Sequence, residues 1–312
     1  MKRFSVSSSP HIRSSATTSR IMLDVIIALM PALIAGCVMF GWRALAVVAS
    51  CVASAVISEF VFNIITKKEQ TVYDFSAAVT GLLIGLNLHA NAPIWQCVIG
   101  SVFAIIVVKC LFGGLGCNFA NPAVTARVFL LVCFAGTLGG GAVPRLSSNP
   151  ELVSGATPLS VLDAGGELPS MLDMFLGMRG GAIGETCTLA LVIGFIYLAL
   201  RKVINFEIPL IFVGTVFALS LIADNSFFTA TYQILSGGLV LGAVFMATDY
   251  VTTPITRSGK MIFAFGCGLI TFLVRYFGAY PEGVSFAILF MNILSPYIER
   301  WTQKRALGGK RA

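Results

Sequence analysis

Charged side chains are scarce in this sequence. Asp, Glu, Lys and Arg make up 11% of the 312 residues and hydrophobic residues make up 57%. A typical soluble domain has about 25% charged residues, so this balance excludes a water-soluble globular domain. The sequence has about ten apolar runs of roughly 20 residues, the length that crosses the hydrocarbon core of a bilayer. We therefore expect an all-α polytopic membrane protein embedded in the lipid bilayer.

Other classes of site lack their residues as well. His11 and His89 are the only histidines and cannot form a metal site of familiar spacing. The eight cysteines include no CxxC pair, which argues against a disulfide framework or an iron–sulfur cluster in this chain alone. The net charge of +7 is not gathered in a basic patch with interleaved aromatics, so we expect no nucleic-acid binding. The basic residues lie instead between the apolar runs.

The apolar runs and basic residues together predict a topology. Most of the 21 Lys and Arg residues fall on the cytoplasmic side if the N terminus is cytoplasmic, so we expect both termini there. Five spans precede a long central loop and five follow it, and an odd number makes any structural repeat inverted. The spans lie near residues 21–40, 44–65, 75–91, 93–112, 122–139, 183–201, 208–224, 232–249, 260–278 and 283–299.

The predicted organisation has five parts. A cytoplasmic N-terminal segment, a first five-helix repeat, an extracytoplasmic loop, a second five-helix repeat and a basic cytoplasmic tail follow one another. Their limits are 1–20, 21–139, 140–182, 183–299 and 300–312. A short internal similarity supports the repeat, because L-F-G-G-L at 111–115 resembles L-S-G-G-L at 235–239. A polar break containing proline follows each of these segments.

The central loop contains S-G-A-T-P-L at residues 154–159. Gly155 and Ala156 leave the backbone beside the Thr157 hydroxyl bare, and Pro158 favours an extended conformation at Thr157. This is the geometry of an exposed acceptor hydroxyl. From these residues alone the segment fits an ordinary turn as well, so its context must decide.

Ionisable residues within or beside spans are candidates for function. Arg127, Glu185 and Asp249 lie deep enough to attract attention, and we take Glu185 and Asp249 as candidates for a cation pathway. Three others lie near predicted span ends, where long side chains reach the interface, and are expected to snorkel. These are Asp24, Lys109 and Arg275.

Asn118 and Asn121 lie three residues apart across the first polar break. Their amides suit a planar ligand with hydrogen-bonding edges. They serve equally well to satisfy the free backbone groups of a broken helix. The spacing alone leaves both interpretations open.

Seven segments in a fixed order resemble one known family. They are S-P-H at 9–11, D-F-S-A-A-V-T-G-L-L at 74–83, K-C-L-F-G-G-L-G-C-N-F-A-N-P at 109–122, S-G-A-T-P-L at 154–159, G-A-I-G-E-T at 181–186, A-T-D-Y-V-T-T-P at 247–254 and Y-P-E-G at 280–283. With these segments the chain resembles the RnfD/NqrB family of membrane proteins. It is similar to RnfD of the Rnf complex and, more distantly, to NqrB of the sodium-translocating NADH:quinone oxidoreductase, and its length favours the former.

The resemblance implies two flavins. Thr157, the last residue of the motif that begins with Ser154, Gly155 and Ala156, corresponds to the threonine that a separate flavin transferase joins to FMN through a phosphoester. It would anchor the cofactor and would not be a catalytic nucleophile. Relatives also hold a non-covalent riboflavin, for which Asn118 and Asn121 are the matching candidates. The protein would then relay electrons across the membrane.

The resemblance also implies partners and a location. The other subunits of such a complex, A, B, C, E and G, pass electrons from ferredoxin to NAD and couple this to export of Na⁺ or H⁺ across a bacterial or archaeal cytoplasmic membrane. A solute channel or secondary transporter with inverted repeats is the competing class, since broken helices occur there too. A purely structural scaffold explains the spans but not the loop.

Overall fold

The computed structural model describes residues 17–138, 141–142, 154–155, 158–163, 170–278 and 282–303, and the described chain is almost entirely helical. Two short strands, β1 (Gly141–Ala142) and β2 (Ser154–Gly155), pair antiparallel in the central loop. The helices are α1 (Thr18–Phe40), α2 (Trp42–Ile65), α3 (Ser76–Asn87), α4 (Ile94–Cys110), α5 (Pro122–Cys133), α6 (Ala135–Leu138), α7 (Pro158–Asp163), α8 (Met171–Leu176), α9 (Thr188–Leu200), α10 (Glu207–Asp224), α11 (Phe227–Leu235), α12 (Leu239–Met246), α13 (Arg257–Phe277) and α14 (Val284–Thr302).

Each predicted span contains a helix, which confirms the all-α polytopic class. Four helices, α1, α2, α10 and α13, are long and apolar enough to cross a membrane alone. The eighth predicted span is broken, because α11 and α12 meet at an angle of 64°. Ser236, Gly237 and Gly238 form this break, and Gly237 takes the left-handed conformation that glycine adopts without strain.

Three of the helices are shorter than we expected. α3 and α5 have 12 residues each and α9 has 13. A helix of this length reaches roughly 18–20 Å, well short of the hydrocarbon core. The remaining depth is occupied by irregular backbone, which is tolerated in a membrane only where protein or a cavity covers it. The short helices therefore show where internal sites can form.

The N-terminal ends of α1, α10 and α13 lie on the same side of the bundle as the C-terminal ends of α9 and α14. Asp24 accepts hydrogen bonds from Tyr197 and Arg201, and it is buried, so it does not snorkel as expected. The Arg257 guanidinium lies 2.6 Å from Glu207, and the hydroxyls of Thr256 and Thr302 lie 2.5 Å apart. The described chain thus begins and ends on one side, as an even number of spans requires. Which side faces the cytoplasm stays a prediction.

α3 packs so closely on α2 that only glycine fits at two positions. A Cβ on Gly81 would lie 2.7 Å from the Val52 Cα, and one on Gly85 would lie 2.8 Å from the Val48 Cα. Small residues spaced four apart are a common device for close helix contact in membranes. α3 is therefore held firmly at the centre of the first half.

The two halves share a local feature. α4 and α12 each contain a π-helical stretch, Phe103–Cys110 and Gly242–Met246. π-helical turns are rare and are frequent at functional sites. A polar break follows each stretch, as the sequence predicted. The two similar segments are placed differently, however, because 111–115 follows the first π-helical stretch and 235–239 precedes the second. The inverted repeat and the limits of the five predicted parts stay predictions.

Candidate functional site: two internal cavities

The described residues form two cavities at opposite ends of α3, each mainly apolar with a few polar and charged groups in its wall. We call them the arginine cavity, which includes Arg127 and Arg179, and the asparagine cavity, which includes Asn118 and Asn121. Their volumes are about 120 and 90 Å³. A single water needs about 10–15 Å³ by the same measure, so each cavity admits far more than one water.

The arginine cavity is formed by both halves of the chain and by the central loop. Pro158 and Leu159, the last two residues of the S-G-A-T-P-L segment, are buried in its wall. Ser154 and Gly155 form β2 nearby in sequence, whereas Ala156 and Thr157 lie outside the described residues. The remaining lining residues come from α3 and its C-terminal end, α5, α6, the segment before α9, the break between α11 and α12, and the start of α14. They are Asn87, Leu88, His89, Arg127, Leu130, Leu131, Ala135, Leu138, Arg179, Gly180, Gly181, Ala182, Glu185, Gly237 and Glu282.

Arg127 is the centre of a buried charge cluster in this cavity. Its guanidinium lies 2.9 Å from Glu185 Oε1 and also forms an ion pair with Glu282. Another nitrogen donates to the backbone oxygen of Asn87 and, at 2.9 Å, to the Asn87 side chain. A cation at this point satisfies the free carbonyl at the C-terminal end of α3.

The two carboxylates converge on the break between α11 and α12. Glu282 accepts a hydrogen bond from the backbone N–H of Gly238. A Cβ on Gly238 would lie 2.6 Å from an oxygen of Glu185 and 2.6 Å from an oxygen of Glu282, so a larger residue there would displace the two carboxylates. Glu185, a predicted ion-pathway residue, is therefore buried as expected. It is held by Arg127, a contact that its sequence position did not reveal.

Two further arginines are buried around the cluster. Arg179 donates to the backbone oxygens of Glu185, at 2.6 Å, and Thr186, at 3.3 Å. Burial lowers the pKa of Arg179 to about 10, so it stays charged at neutral pH. Arg275 is 6% exposed and donates to the backbone oxygens of Gln233 and Ser236, which contradicts the expectation that it snorkels. Among the described residues, the cluster therefore has three arginines and two glutamates, a surplus of positive charge.

The asparagine cavity brings together three predicted residues. Asn118, Asn121 and Asp249 all line it, although Asp249 is more than a hundred positions away in the chain. The other lining residues come mainly from α1, α3, the end of α9 and α12. They are Ile21, Met22, Val25, Ser76, Val79, Thr80, Leu83, Lys109, Leu115, Pro122, Leu198, Val203, Ile204, Val244, Phe245, Thr248, Tyr250 and Val251.

The two asparagines differ in what they bind. Asn121 caps α5, because its side-chain oxygen accepts from the N–H groups of Ala123, at 3.0 Å, and Val124, at 3.3 Å. This is the helix-satisfying role that the spacing left open. The Asn118 side-chain oxygen is buried and has no hydrogen-bond partner among the described residues. Of the two, Asn118 is thus the one with an acceptor available to a ligand.

Asp249 lies in the turn after α12. Its carboxylate accepts weak hydrogen bonds from the Val251 N–H, at 3.4 Å, and the Thr252 hydroxyl, at 3.2 Å. The ion pairs of the described chain do not include Asp249. A carboxylate beside a cavity and without a cationic partner is a suitable point of contact for a cation.

Lys109 is the third residue, after Asp24 and Arg275, that does not snorkel as the sequence predicted. Its side chain is 1% exposed rather than reaching solvent, and its ammonium donates to Glu59 Oε1 at 2.7 Å and to the Ser76 hydroxyl at 2.6 Å. Lys109 lies only a short way from the predicted span end, which suggested snorkelling. The π-helical turn at the end of α4 directs it inward instead, where Glu59 balances its charge.

One residue connects the two cavities. The side-chain amide of Asn87, in the arginine cavity, donates to the sulfur of Met246 at 3.7 Å. The side-chain amide of Asn121, in the asparagine cavity, donates to the backbone oxygen of Met246 at 3.2 Å. Met246 is 1% exposed and belongs to the π-helical part of α12. Asn87, Met246 and Asn121 thus form a direct chain of contacts from one cavity to the other.

This architecture defines a class of protein, a multi-pass membrane protein with two internal cavities at opposite ends of one helix. Residues 5–308 match the model of the NQR2, RnfD, RnfE family, and the chain belongs to that family.

The relatives are similar over almost their whole length. The chain is 49% identical over 307 residues to the D subunit of the Na(+)-translocating ferredoxin:NAD(+) oxidoreductase complex of Acetobacterium woodii, covering 97% of this chain and 95% of the relative. It is 40% identical over 323 residues to the D subunit of the proton-translocating ferredoxin:NAD(+) oxidoreductase complex of Clostridium ljungdahlii, covering 99% and 97%. The D subunit of the ion-translocating oxidoreductase complex of Stutzerimonas stutzeri is 39% identical over 335 residues, covering 95% and 93%.

Proposed function

We propose that this chain is the RnfD component of an ion-translocating ferredoxin:NAD oxidoreductase complex and relays electrons across the membrane through two flavins. FMN is attached to Thr157 and occupies the arginine cavity, and riboflavin occupies the asparagine cavity. The observation that carries the proposal is the pair of cavities with polar groups in their walls, joined through Met246 by its contacts with Asn87 and Asn121. Flavins supply redox chemistry that side chains lack, while a protein fixes their positions and tunes their potentials.

The residues of the arginine cavity fit FMN. Pro158 and Leu159 lie in the cavity wall, so the neighbouring Thr157 is close in sequence to the opening. The phosphodiester of attached FMN carries a negative charge, and the described cluster has one arginine more than it has glutamates. Arg127 and Arg179 are held in place by their own hydrogen bonds, so they would meet this charge without reorganising.

The residues of the asparagine cavity fit an uncharged flavin. The Asn118 oxygen is free to accept, and the Lys109 ammonium lies in the same wall as a donor. Aliphatic side chains of α1, α3 and α12 form the other walls, and a few polar groups in an apolar cavity are typical of cofactor sites. The hydrogen bond from Asn121 helps to fix the distance between the asparagine cavity and Met246. The contact of Met246 with Asn87 does the same for the arginine cavity.

Ion coupling is assigned to Glu185 and Asp249. Each lines one cavity, and Asp249 lacks a cationic partner among the described residues. The coupling ion is Na⁺ or H⁺, since the relatives named above include both kinds of complex. Asp249→Asn and Glu185→Gln are expected to reduce ion transport per electron in complexes of normal flavin content. Unchanged transport in both variants contradicts this assignment.

The proposal also sets the surroundings of the protein. The chain lies in a bacterial or archaeal cytoplasmic membrane beside the A, B, C, E and G subunits, and a flavin transferase attaches the FMN. With the termini cytoplasmic, the asparagine cavity faces the cytoplasm and Thr157 faces the opposite side. Support comes from the basic residues Lys67, Lys68, Arg201 and Lys202, which follow α2 and α9 at the end of the bundle that holds the asparagine cavity.

The competing function is a secondary transporter or channel. The bent pair α11 and α12 and the two internal cavities are also features of carriers. A carrier moves a solute when it is reconstituted alone and contains no flavin. An electron relay contains flavin and needs its partner subunits for activity.

Mass spectrometry of the protein purified from its own host tests the proposal. We expect a mass increase matching FMN on the peptide that contains Thr157, and in-gel flavin fluorescence that Thr157→Ala abolishes. Thr231→Ala, which changes a half-buried threonine of α11 outside both cavities, serves as the matched control and is expected to keep the fluorescence. Organic extraction of the wild-type protein is expected to release riboflavin as well. An unmodified Thr157 in a host that makes the transferase contradicts the relay and favours the transporter.

A further inference from the structure

Lys109 and Glu59 form an ion pair that is almost completely buried. Lys109 is 1% exposed and Glu59 is 1% exposed, with Lys109 Nζ 2.7 Å from Glu59 Oε1. Removing two charges from water is costly, and a buried pair often contributes little net stability compared with apolar residues of the same size. Stability alone is therefore a weak explanation for this pair.

The pair belongs to a hydrogen-bonded chain that reaches the protein surface. Lys109 donates to the Ser76 hydroxyl at 2.6 Å, and Ser76 donates to the carboxylate of Asp74, which is only half-buried. On the other branch, Glu59 accepts from the hydroxyl of the exposed Thr71 at 2.7 Å. Both branches thus run from the surface to Lys109.

The inner end of this chain opens into the asparagine cavity. Lys109 and Ser76 both line that cavity, together with Asn118. An ammonium has three N–H groups, and the described contacts of Lys109 use two of them. The third is available to a ligand.

The balance of charge in the cavity indicates a function for this series of hydrogen-bonded residues. Adding an electron to an uncharged ligand in a cavity of low polarity creates a buried negative charge, which is unfavourable unless a proton or another cation accompanies it. Lys109 is already paired with Glu59, so the two contribute no net charge. A proton delivered with the electron would remove the imbalance.

We propose that Lys109 gives a proton to the ligand of the asparagine cavity when that ligand is reduced, and that Ser76 and Asp74 restore the proton from water. This inference rests on the proposed function, which supplies the electron and a reducible ring nitrogen. An N–H bond breaks at Lys109 Nζ and an N–H bond forms at the ring nitrogen. The resulting amine takes the hydroxyl proton of Ser76, which takes the proton of an Asp74 carboxyl group, and water reprotonates Asp74.

The charged groups described around Lys109 do not interrupt the proton path from Asp74 through Ser76 to Lys109. Glu59 faces it from α2, Asp74 acts through Ser76 at the start of α3, and Asp249 lies in the wall of the same cavity. Lys68, after α2, and Cys110, the next residue of α4, are the other titratable groups nearby. Asp74 is the only one of these hydrogen-bonded to Ser76 among the described contacts.

Lys109→Arg is the decisive variant. It keeps the positive charge and the partner for Glu59, but arginine does not lose its proton in proteins. In the purified complete complex, we expect normal content of non-covalent flavin and a rate of its reduction, followed by stopped-flow absorbance, that falls about a hundredfold, the typical size of a general-acid contribution. The solvent deuterium isotope effect on this step is expected in the wild type and lost in the variant. Lys202→Arg, at an exposed position after α9, is the matched control.

A second variant separates proton supply from proton donation. Asp74→Asn leaves Lys109 and the cavity wall unchanged, so the first reduction is expected at the wild-type rate while repeated turnover slows about tenfold or more. This variant decides the matter if Lys109→Arg fails to keep its flavin. Equal turnover of Asp74→Asn and wild type then overturns the inference.

The outcomes distinguish this inference from the function on which it rests. Non-covalent flavin present in Lys109→Arg and reduced at the wild-type rate, with an unchanged isotope effect, overturns the proton route but leaves the relay. Such a result would give the Lys109–Glu59 pair a purely structural role between α2, α3 and α4. Wild-type complex that contains no non-covalent flavin overturns the second-flavin site, and the proton route with it.

Discussion

The two cavities hold their polar groups in different ways. In the arginine cavity, full charges from distant parts of the chain form ion pairs, and Arg127 and Glu282 are 155 positions apart. In the asparagine cavity, the amides of Asn118 and Asn121 come from one short segment, Lys109 is paired with Glu59, and Asp249 contributes a carboxylate without an ion-pair partner among the described residues. Both cavities depend on the assembly of both halves, but the first is held by ion pairs between distant residues, whereas the second has its two amides in one short segment.

This difference suggests a division of labour. A site with surplus positive charge suits an anion, whereas a mainly apolar cavity with an unpartnered amide oxygen at Asn118 suits an uncharged ligand. Met246 lies between them and contacts an asparagine from each side. Substitution of Arg127 is expected to disturb protein stability and the cavities most, and substitution of Asn118 least.

Arg127→Gln is expected to have the largest effect. It leaves Glu185 and Glu282 buried without their common partner, and breaking a buried ion pair costs about 3–5 kcal/mol. We expect a strong drop in the thermal unfolding temperature in detergent and in the yield of protein. The arginine cavity should be lost, and with it the covalent flavin fluorescence.

The matched control for this variant is Arg257→Gln. Arg257 also pairs with a glutamate, Glu207, at 2.6 Å, but its side chain is 78% exposed. Exposed pairs contribute about 0–1 kcal/mol, so this variant should unfold close to the wild-type temperature. Equal losses in the two variants would show that Arg127 does not hold the cavity together.

The same contrast explains how much the sequence revealed. The helices, the polar break at 118–121 and the buried positions of Glu185 and Arg127 follow from apolar runs and local motifs. The convergence of Glu185 and Glu282 on Gly238 does not, because nothing in the local sequence links these three positions. The prediction for Lys109 was wrong because the distance from a span end shows only how far the side chain can reach. The direction in which the side chain points is set by the π-helical turn. The short lengths of α3, α5 and α9 were hidden because apolar residues continue past their ends.

Gly85→Ala tests whether the two cavities depend on one helix. The new Cβ would lie 2.8 Å from the Val48 Cα, which is backbone and cannot rotate away. Overpacking of this kind typically costs about 1–3 kcal/mol, so we expect a lower unfolding temperature. Because α3 contributes residues to both cavities, the contents of covalent and extractable flavin should fall together.

Gly214→Ala is the control for Gly85→Ala. Gly214 lies within α10, and a Cβ there would meet nothing within 4 Å in the described structure. Replacing an unconstrained helix glycine by alanine is expected to stabilise by a few tenths of a kcal/mol up to about 1 kcal/mol. Loss of only one flavin in Gly85→Ala would show that the cavities can be disturbed independently, contrary to the shared role of α3.

The smallest expected effects distinguish the two asparagines. Asn121→Ala removes the cap of α5 and should cost about 1 kcal/mol of unfolding free energy. Asn118→Ala removes a side-chain oxygen that has no described partner, so stability should change little, while the affinity for extractable flavin falls about tenfold, the effect of one lost hydrogen bond of about 1.4 kcal/mol. Titration of flavin-depleted protein with riboflavin, alongside thermal unfolding of each variant, measures both quantities. If Asn118→Ala binds riboflavin like the wild type, the asparagine cavity holds its ligand by other groups, and its free amide oxygen has lost its proposed role.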